Sequence, residues 1–304
     1  MDYPNFTRSL ACRILGGWLM LVPLASLPAA DEPQTIRLWS GDAPGATGQT
    51  PDDIPEIIVY RPNGSGSSGK RGALVICPGG GYGHLAIDHE GHQIARWANE
   101  MGMVGVIVSY RHRKRGYGHP APMLDAQRAI RLTRHHAVEW NIDPQKVGVI
   151  GFSAGGHLVS TLATHFDQGS SDDADPVERL SCRPDFAIVS YAVIAFGEPY
   201  THQGSQRNLL GENADPELVQ SLSNEKRVKT ETPPCFVWHT AEDKVVAAEN
   251  SLRFYSALVQ HDVPSELHIF PVGRHGIGLG KGVPGAEQWP QLCRNWLQRM
   301  GMVE

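Results

Sequence analysis

The chain reads as an α/β protein, a mostly parallel sheet covered on both faces by helices. Three observations predict this. Short apolar runs rich in β-branched residues alternate with longer amphipathic stretches, a rhythm in which helices connect parallel strands. One of those runs, residues 147–150, passes directly through Gly151-Phe152-Ser153-Ala154-Gly155 into helix-forming sequence, which reads as a strand, a sharp turn and a helix. Finally, 304 residues with 41% hydrophobic composition bury a sizeable core, and α/β folds of this size are commonly one domain.

Residues 1–30 stand apart from the rest. Arg8 and Arg13 precede an apolar run over residues 14–27, then come Ala29-Ala30 and the acidic Asp31-Glu32. This is the order of a secretory signal, and the run is short for a membrane span. It predicts a secreted or periplasmic protein, without stable membrane association once the leader is removed, and a single catalytic domain over residues 31–304. Leu10-Ala11-Cys12 lies before the apolar run, where a lipidation box would follow it. A formal charge of −5 and a pI near 6.3 argue against a nucleic-acid partner, which would ask for a basic surplus. The one basic run, residues 111–115, reads as a solvated loop.

After the leader, residues 36–39 and 56–61 read as short strands, with a Gly/Ser-rich turn over 63–72. Strands follow at 73–77 and 104–110, separated by a helical pattern over 91–101. A second amphipathic helix spans 122–140, with Met123, Ala126, Ile130 and Leu132 on its apolar side. The strand at 147–150 and the helix from Ser153 come next. Three more β-rich runs stand at 185–191, 235–239 and 266–270, with helices over 247–260 and 286–300. The polar stretches 167–183 and 201–232 are long enough to be insertions over the active-site face. Cys77 and Cys235 sit in strand-like runs as small core residues, while Cys182 and Cys293 are the two that could pair in an oxidising compartment, a choice the sequence leaves open.

Ser153 is the candidate nucleophile. A serine on a sharp strand-to-helix turn is held in a strained backbone with its hydroxyl pushed above the sheet. With 33 glycines in the chain the pentapeptide alone is a weak signal, and its strand-and-helix context supplies the specificity. A serine hydroxyl needs a base, and the base needs an orienting carboxylate. Both follow in order on loops after strands: Asp243, preferred over Glu242 because it precedes the apolar pair Val245-Val246 at one lysine's remove, and His275 in the loop after 266–270. His268, inside that strand, reads as structural. The oxyanion formed on attack needs preset N–H donors. The loop Cys77-Pro78-Gly79-Gly80-Gly81-Tyr82 offers the amides of Gly80 and Gly81, joined by that of Ala154. His84, Asp88, His89, Glu90 and His92 crowd the next segment, but His89-Glu90-Gly91-His92 is a poor match for a zinc motif. They are expected to form hydrogen bonds in the active-site wall, with no metal and no cofactor.

These segments together resemble the acetylxylan esterase-like branch of the α/β-hydrolases, carbohydrate esterases related to hormone-sensitive-lipase-type esterases. The resemblance rests on PGGGY at 78–82, YR at 110–111, DAQRAIR at 125–131, GFSAGGHL at 151–158, HTAEDKVV at 239–246 and HGIGL at 275–279. It implies an α/β-hydrolase fold and hydrolysis of short acyl esters, typically acetyl groups on xylan-type sugars, so that the partner is a small acyl ester or an acetylated polysaccharide. It also implies Ser153, Asp243 and His275 as the triad. Cys77-Pro78 replaces the His-Gly of lipase-like relatives, and Val246-Ala247 replaces a more usual Val-Pro. Other readings are a prolyl-oligopeptidase-type peptidase, for whose extra domain the chain has little room, a feruloyl or general carboxylesterase, and a binding protein that kept the fold without the chemistry.

Overall fold

A computed structural model describes residues 32–62 and 69–304, together with residues 1, 2 and 4. The expected leader otherwise lies outside the described residues, as does the centre of the turn expected at 63–72. Eight strands form one sheet: β1 (Gln34–Arg37), β2 (Glu56–Tyr60), β3 (Arg71–Cys77), β4 (Val104–Ser109), β5 (Ile142–Phe152), β6 (Ala187–Ser190), β7 (Cys235–Thr240) and β8 (Ser265–Phe270). Their spatial order is β1-β2-β4-β3-β5-β6-β7-β8. The two pairings that involve β2 are antiparallel and every other pairing is parallel. This is the α/β-hydrolase arrangement that the sequence predicts.

Alternation along β3 explains why helices are needed on both sides. Ala73, Val75 and Cys77 point into one apolar layer with residues of α2 (Ala121–His135), α3 (Ala154–Thr164) and α6 (Glu249–Gln260). Leu74 and Ile76 point into the other, with α1 (Gln93–Glu100) and α7 (Trp289–Arg299). A strand buried on both faces has no polar side to alternate with, so it reads as an unbroken apolar run. On the α1/α7 side, Trp289 stacks on Trp238 at 4.9 Å and meets Trp97 edge-on at 5.2 Å. The two short remaining helices, α4 (Gln203–Leu210) and α5 (Pro216–Ser221), lie within the 201–232 insertion.

Several expected boundaries move. The strand expected at 36–39 forms instead at Gln34–Arg37, in register with β2. The strand expected at 147–150 begins at Ile142, because Ile142 pairs with Arg71 ahead of a bulge. The helix expected to reach 140 stops at His135. Beyond it the amide of Ala137 turns back to Arg134 and that of Ile142 to Ala137, so Trp140 is buried under a turn. Helix α1 starts two residues late, after a π-helical turn at Asp88–His92. Stretch 167–183 does not cover the active-site face. Helix α3 starts just after Ser153 and carries the chain to the opposite end of the sheet, where Arg128 and Arg131 of α2 hold the stretch through Asp167, Asp175 and Glu178. The four described cysteines are free. Cys182 packs against Asp167 on the α2 side, whereas Cys293 lies in the α1/α7 layer, so the sheet separates them. Among the described residues no helix is long and apolar enough to cross a membrane.

Candidate active site

The candidate serine, acid, histidine and glycine loop converge at the carboxyl ends of β3, β5, β7 and β8. Ser153 closes β5 with φ +54° and ψ −119°, a region that costs a non-glycine residue about 1–3 kcal/mol and persists only where the surroundings dictate it. They do so by crowding. A side chain at Gly151 would place its first carbon 2.1 Å from the Gly155 carbonyl oxygen, and one at Gly155 would lie 2.0 Å from that of Cys77. The chain can therefore double back over β5, with the Ser153 amide donating to Ser190 and its carbonyl accepting from Val193 and His157.

The structure brings the three predicted side chains together. Ser153 Oγ lies 2.8 Å from His275 Nε2, and His275 Nδ1 lies 2.6 Å from Asp243 Oδ2. Asp243 is buried, and its other oxygen accepts the amides of Val245 and Val246 at 2.8 and 2.9 Å. Burial alone would raise this carboxyl; the hydrogen bonds from His239, His275 and the Val246 amide outweigh it and hold the group well below the usual carboxylate range. An ionised Asp243 fixes the proton of His275 on Nδ1, leaving Nε2 free to accept from the serine hydroxyl. Glu242 is exposed and accepts the Gly273 amide at 3.2 Å, apart from the imidazole.

Around the glycine loop every carbonyl from Pro78 to Tyr82 is occupied. Tyr110 Oη donates to Pro78, Ala86 N to Gly79, Gly83 N to Gly80, Asn208 Nδ2 to Gly81 and Arg113 N to Tyr82. The Gly79 amide donates to Glu90. The amides of Gly80 and Gly81 thus have no acceptor among the described residues, which is the condition for an oxyanion site. Ala154 opens α3, where first-turn amides lack helical partners. Gly80 sits at φ +126°, and a side chain there would strike the His84 carbonyl at 2.1 Å. The loop lies against Ser153: a Cβ at Gly79 would be 3.0 Å from the serine Cβ.

Of the polar set after the loop, Glu90 is buried and bonded to the loop, while His92 turns away to Tyr60 at 2.8 Å. No group of three or more His, Cys, Asp or Glu side chains is arranged to hold a metal among the described residues. His268 packs on Phe236 and Phe270.

Three contributors escape a reading of the sequence. His239 donates from Nε2 to the Val246 carbonyl at 2.9 Å and lies 3.3 Å from Asp243 Oδ2, while its Nδ1 accepts from Ser251. Its place four residues before the acid was the available signal. His157 stacks on Phe196 at 4.2 Å, with Nε2 against the Leu222 carbonyl and Nδ1 against Tyr82 Oη. Burial pushes its pKa down to about 3, so it is the neutral tautomer that ties α3, the glycine loop and the 201–232 insertion together. His202 precedes α4 and accepts the Ser205 amide on Nδ1; burial and then the charge of His275 lower its pKa.

The family model BD-FAE matches residues 59–258. The chain is 40% identical over 226 residues to endo-1,4-beta-xylanase B of Butyrivibrio fibrisolvens, covering 74% of this chain and 35% of that protein. It is 36% identical over 253 residues to the acetylxylan esterase of Xylanibacter ruminicola, covering 81% of this chain and 48% of that one. The chain thus spans between a third and a half of the length of these curated relatives. Among solved structures, the acetyl ester-xyloside bifunctional hydrolase from Caldicellulosiruptor lactoaceticus superposes with a TM-score of 0.85 at 43% identity, covering 91% of this chain and all of that one. A family match over more than half of the sequence, and a 43% identical relative covered along its whole length, carry one conclusion: this chain belongs to the BD-FAE family, on the α/β-hydrolase fold.

Proposed function

We propose that the protein is an exported serine esterase that removes short acyl groups, acetyl above all, from xylan-type carbohydrates through an acyl-enzyme. The observation that carries the reading is the unbroken line Asp243 Oδ2, His275, Ser153 Oγ at 2.6 and 2.8 Å, set beside two loop amides that have no acceptor among the described residues. The relatives named as acetylxylan esterase and acetyl ester-xyloside hydrolase support the acetyl and xylan part. The expected leader supports export.

In this reading His275 Nε2 takes the proton of Ser153 as Oγ attacks the ester carbonyl carbon. The amides of Gly80, Gly81 and Ala154 hold the oxyanion of the tetrahedral intermediate. Collapse breaks the bond to the sugar oxygen, which leaves as an alcohol carrying the proton from His275, and acetyl stays on Ser153. A water molecule, deprotonated by His275, then attacks the acyl-serine and releases acetate. Asp243 stays ionised throughout and stabilises the imidazolium.

Ser153→Ala is expected to abolish hydrolysis of p-nitrophenyl acetate and acetate release from acetylated xylan, with the melting temperature close to the parent's. Retained turnover of either substrate in that variant overturns the reading. Preference for feruloyl or long-chain p-nitrophenyl esters in the parent would overturn its acetyl part alone.

A further inference from the structure

We propose that Glu90 is a positioning residue, one carboxylate that sets both the oxyanion loop and the histidine loop; this rests on the esterase reading above. Glu90 is 2% exposed. Its Oε2 accepts the Gly79 amide at 2.8 Å, and its Oε1 accepts the hydroxyl of Tyr191 at 2.8 Å. Tyr191 Oη in turn accepts the Gly278 amide at 3.0 Å, three residues beyond His275, and its ring lies edge-on to the His275 imidazole at 5.2 Å. Three loops, after β3, β6 and β8, are therefore tied to one side chain.

The local chain is shaped to deliver that side chain. The π-helical turn at Asp88–His92 buries Glu90 and Gly91 while His89 stays half-exposed beside it, its Nε2 3.6 Å from Glu90 Oε1. An inserted residue of this kind rotates a helix start, and such turns recur at functional sites. Tyr191 is held at φ +34°, an uncommon backbone for a bulky residue. The loop also closes tightly on the carboxylate: a side chain at Gly79 would lie 2.6 Å from Glu90 Oε2 and 3.0 Å from Ser153 Cβ.

A structural brace could equally hold an apolar wall, but this one spends a buried carboxylate, which is tolerated only when hydrogen-bonded. Its two acceptors meet the two loops that carry the proposed oxyanion donors and the base. By drawing the Gly79 N–H backward, Glu90 orients the peptide plane that precedes the Gly80 and Gly81 amides. Through Tyr191 it sets where the His275 loop rests. Glutamine has one acceptor oxygen, so it cannot accept from Gly79 and Tyr191 together; with its oxygen on Gly79 its NH2 meets Tyr191 Oη, which then accepts from both glutamine and Gly278 and loses the acceptor of its own O–H.

The test uses the full chain with p-nitrophenyl acetate and an aryl trifluoromethyl ketone, whose hemiketal with Ser153 places an oxyanion in the hole. For Glu90→Gln we expect kcat to fall about 100-fold, the scale on which small misplacement acts, with KM within about twofold. Ketone affinity should weaken in proportion to kcat, since both read the oxyanion geometry. Tyr191→Phe, which keeps the ring against His275 and loses only the hydroxyl, is expected to lose about tenfold in kcat. It carries the test alone if Glu90→Gln does not fold. An unchanged kcat and ketone affinity, or an effect confined to KM or to the melting temperature, overturns the proposal while leaving the esterase reading in place. A parent protein inert toward ester and ketone alike overturns both.

Discussion

The Ser153 end and the His275 end of this site are built by opposite means. Strand β5 lies at the centre of the sheet, is buried from Val147 to Phe152, and hands Ser153 to a turn whose course is set by close backbone approach at Gly151 and Gly155, with the Ser153 amide and carbonyl bonded to the backbone around it. Strand β8 is an edge, paired among the described residues only with β7 and partly exposed along its length. The loop that follows it carries left-handed glycines at 273, 276, 278, 280 and 282, and Gly276, next to His275, has open space where a side chain would stand, so crowding at that step does not place the histidine. Hydrogen bonds do: Thr240 Oγ1 to the Gly273 carbonyl at 2.8 Å, Glu242 to the Gly273 amide, Tyr191 to Gly278 and Asp243 to the imidazole itself. The serine is thus fixed by shape and the histidine by polar tethers, and the two halves should fail differently when altered.

Kinetics show the largest expected effect. Asp243→Asn removes the charge that holds the His275 tautomer, and kcat is expected to fall about 10⁴-fold in a protein that still folds; a loss under tenfold would show that the imidazole is placed without the acid. Gly155→Ala attacks the other half. Its methyl meets the Cys77 carbonyl at 2.0 Å, and neither backbone can yield, so a loss of more than about 4 kcal/mol is expected. Thermal unfolding would report it, and a melting temperature within about 2 °C of the parent's would refute a nucleophile held by packing.

A smaller effect sharpens the junction between the halves and the insertion. His157 is neutral in the fold with a pKa near 3, against an ordinary value of 6.5. Between those values the unfolded chain binds a proton that the folded one does not. The stability this residue contributes is therefore complete above pH 6.5 and drains away as pH falls toward 3. Urea unfolding at pH 7 and pH 4 should show a smaller difference for His157→Asn than for the parent. An identical difference would mean that His157 does not titrate with unfolding.

Much of this was legible in the sequence because it depended on order. Buried parallel strands announce themselves as apolar runs, and the loops after 147–150, 235–239 and 266–270 carry Ser153, Asp243 and His275, which the fold brings to one rim. What depended on direction was not legible. Stretch 167–183 looks like any polar insertion, and only the course of α3 away from Ser153 puts it at the far end of the sheet. Apolar periodicity carried the second helix past His135, because Ala137 and Trp140 keep the spacing while the backbone turns. Glu90 gave no sign beyond its crowded neighbourhood, since a π turn rather than any sequence period rotates it inward. Cys182 and Cys293 illustrate the same limit: two cysteines suitable by composition, set on opposite faces of the sheet.

Covalent labelling asks of the molecule itself whether Ser153 is the group made nucleophilic by His275 and Asp243. Treating the purified protein with a fluorophosphonate ester and locating the adduct by peptide mass spectrometry should place one phosphonyl group on Ser153, with none in Ser153→Ala and strongly slowed labelling in Asp243→Asn. An adduct on any other residue, or ester hydrolysis that persists once Ser153 is fully labelled, would contradict this assignment.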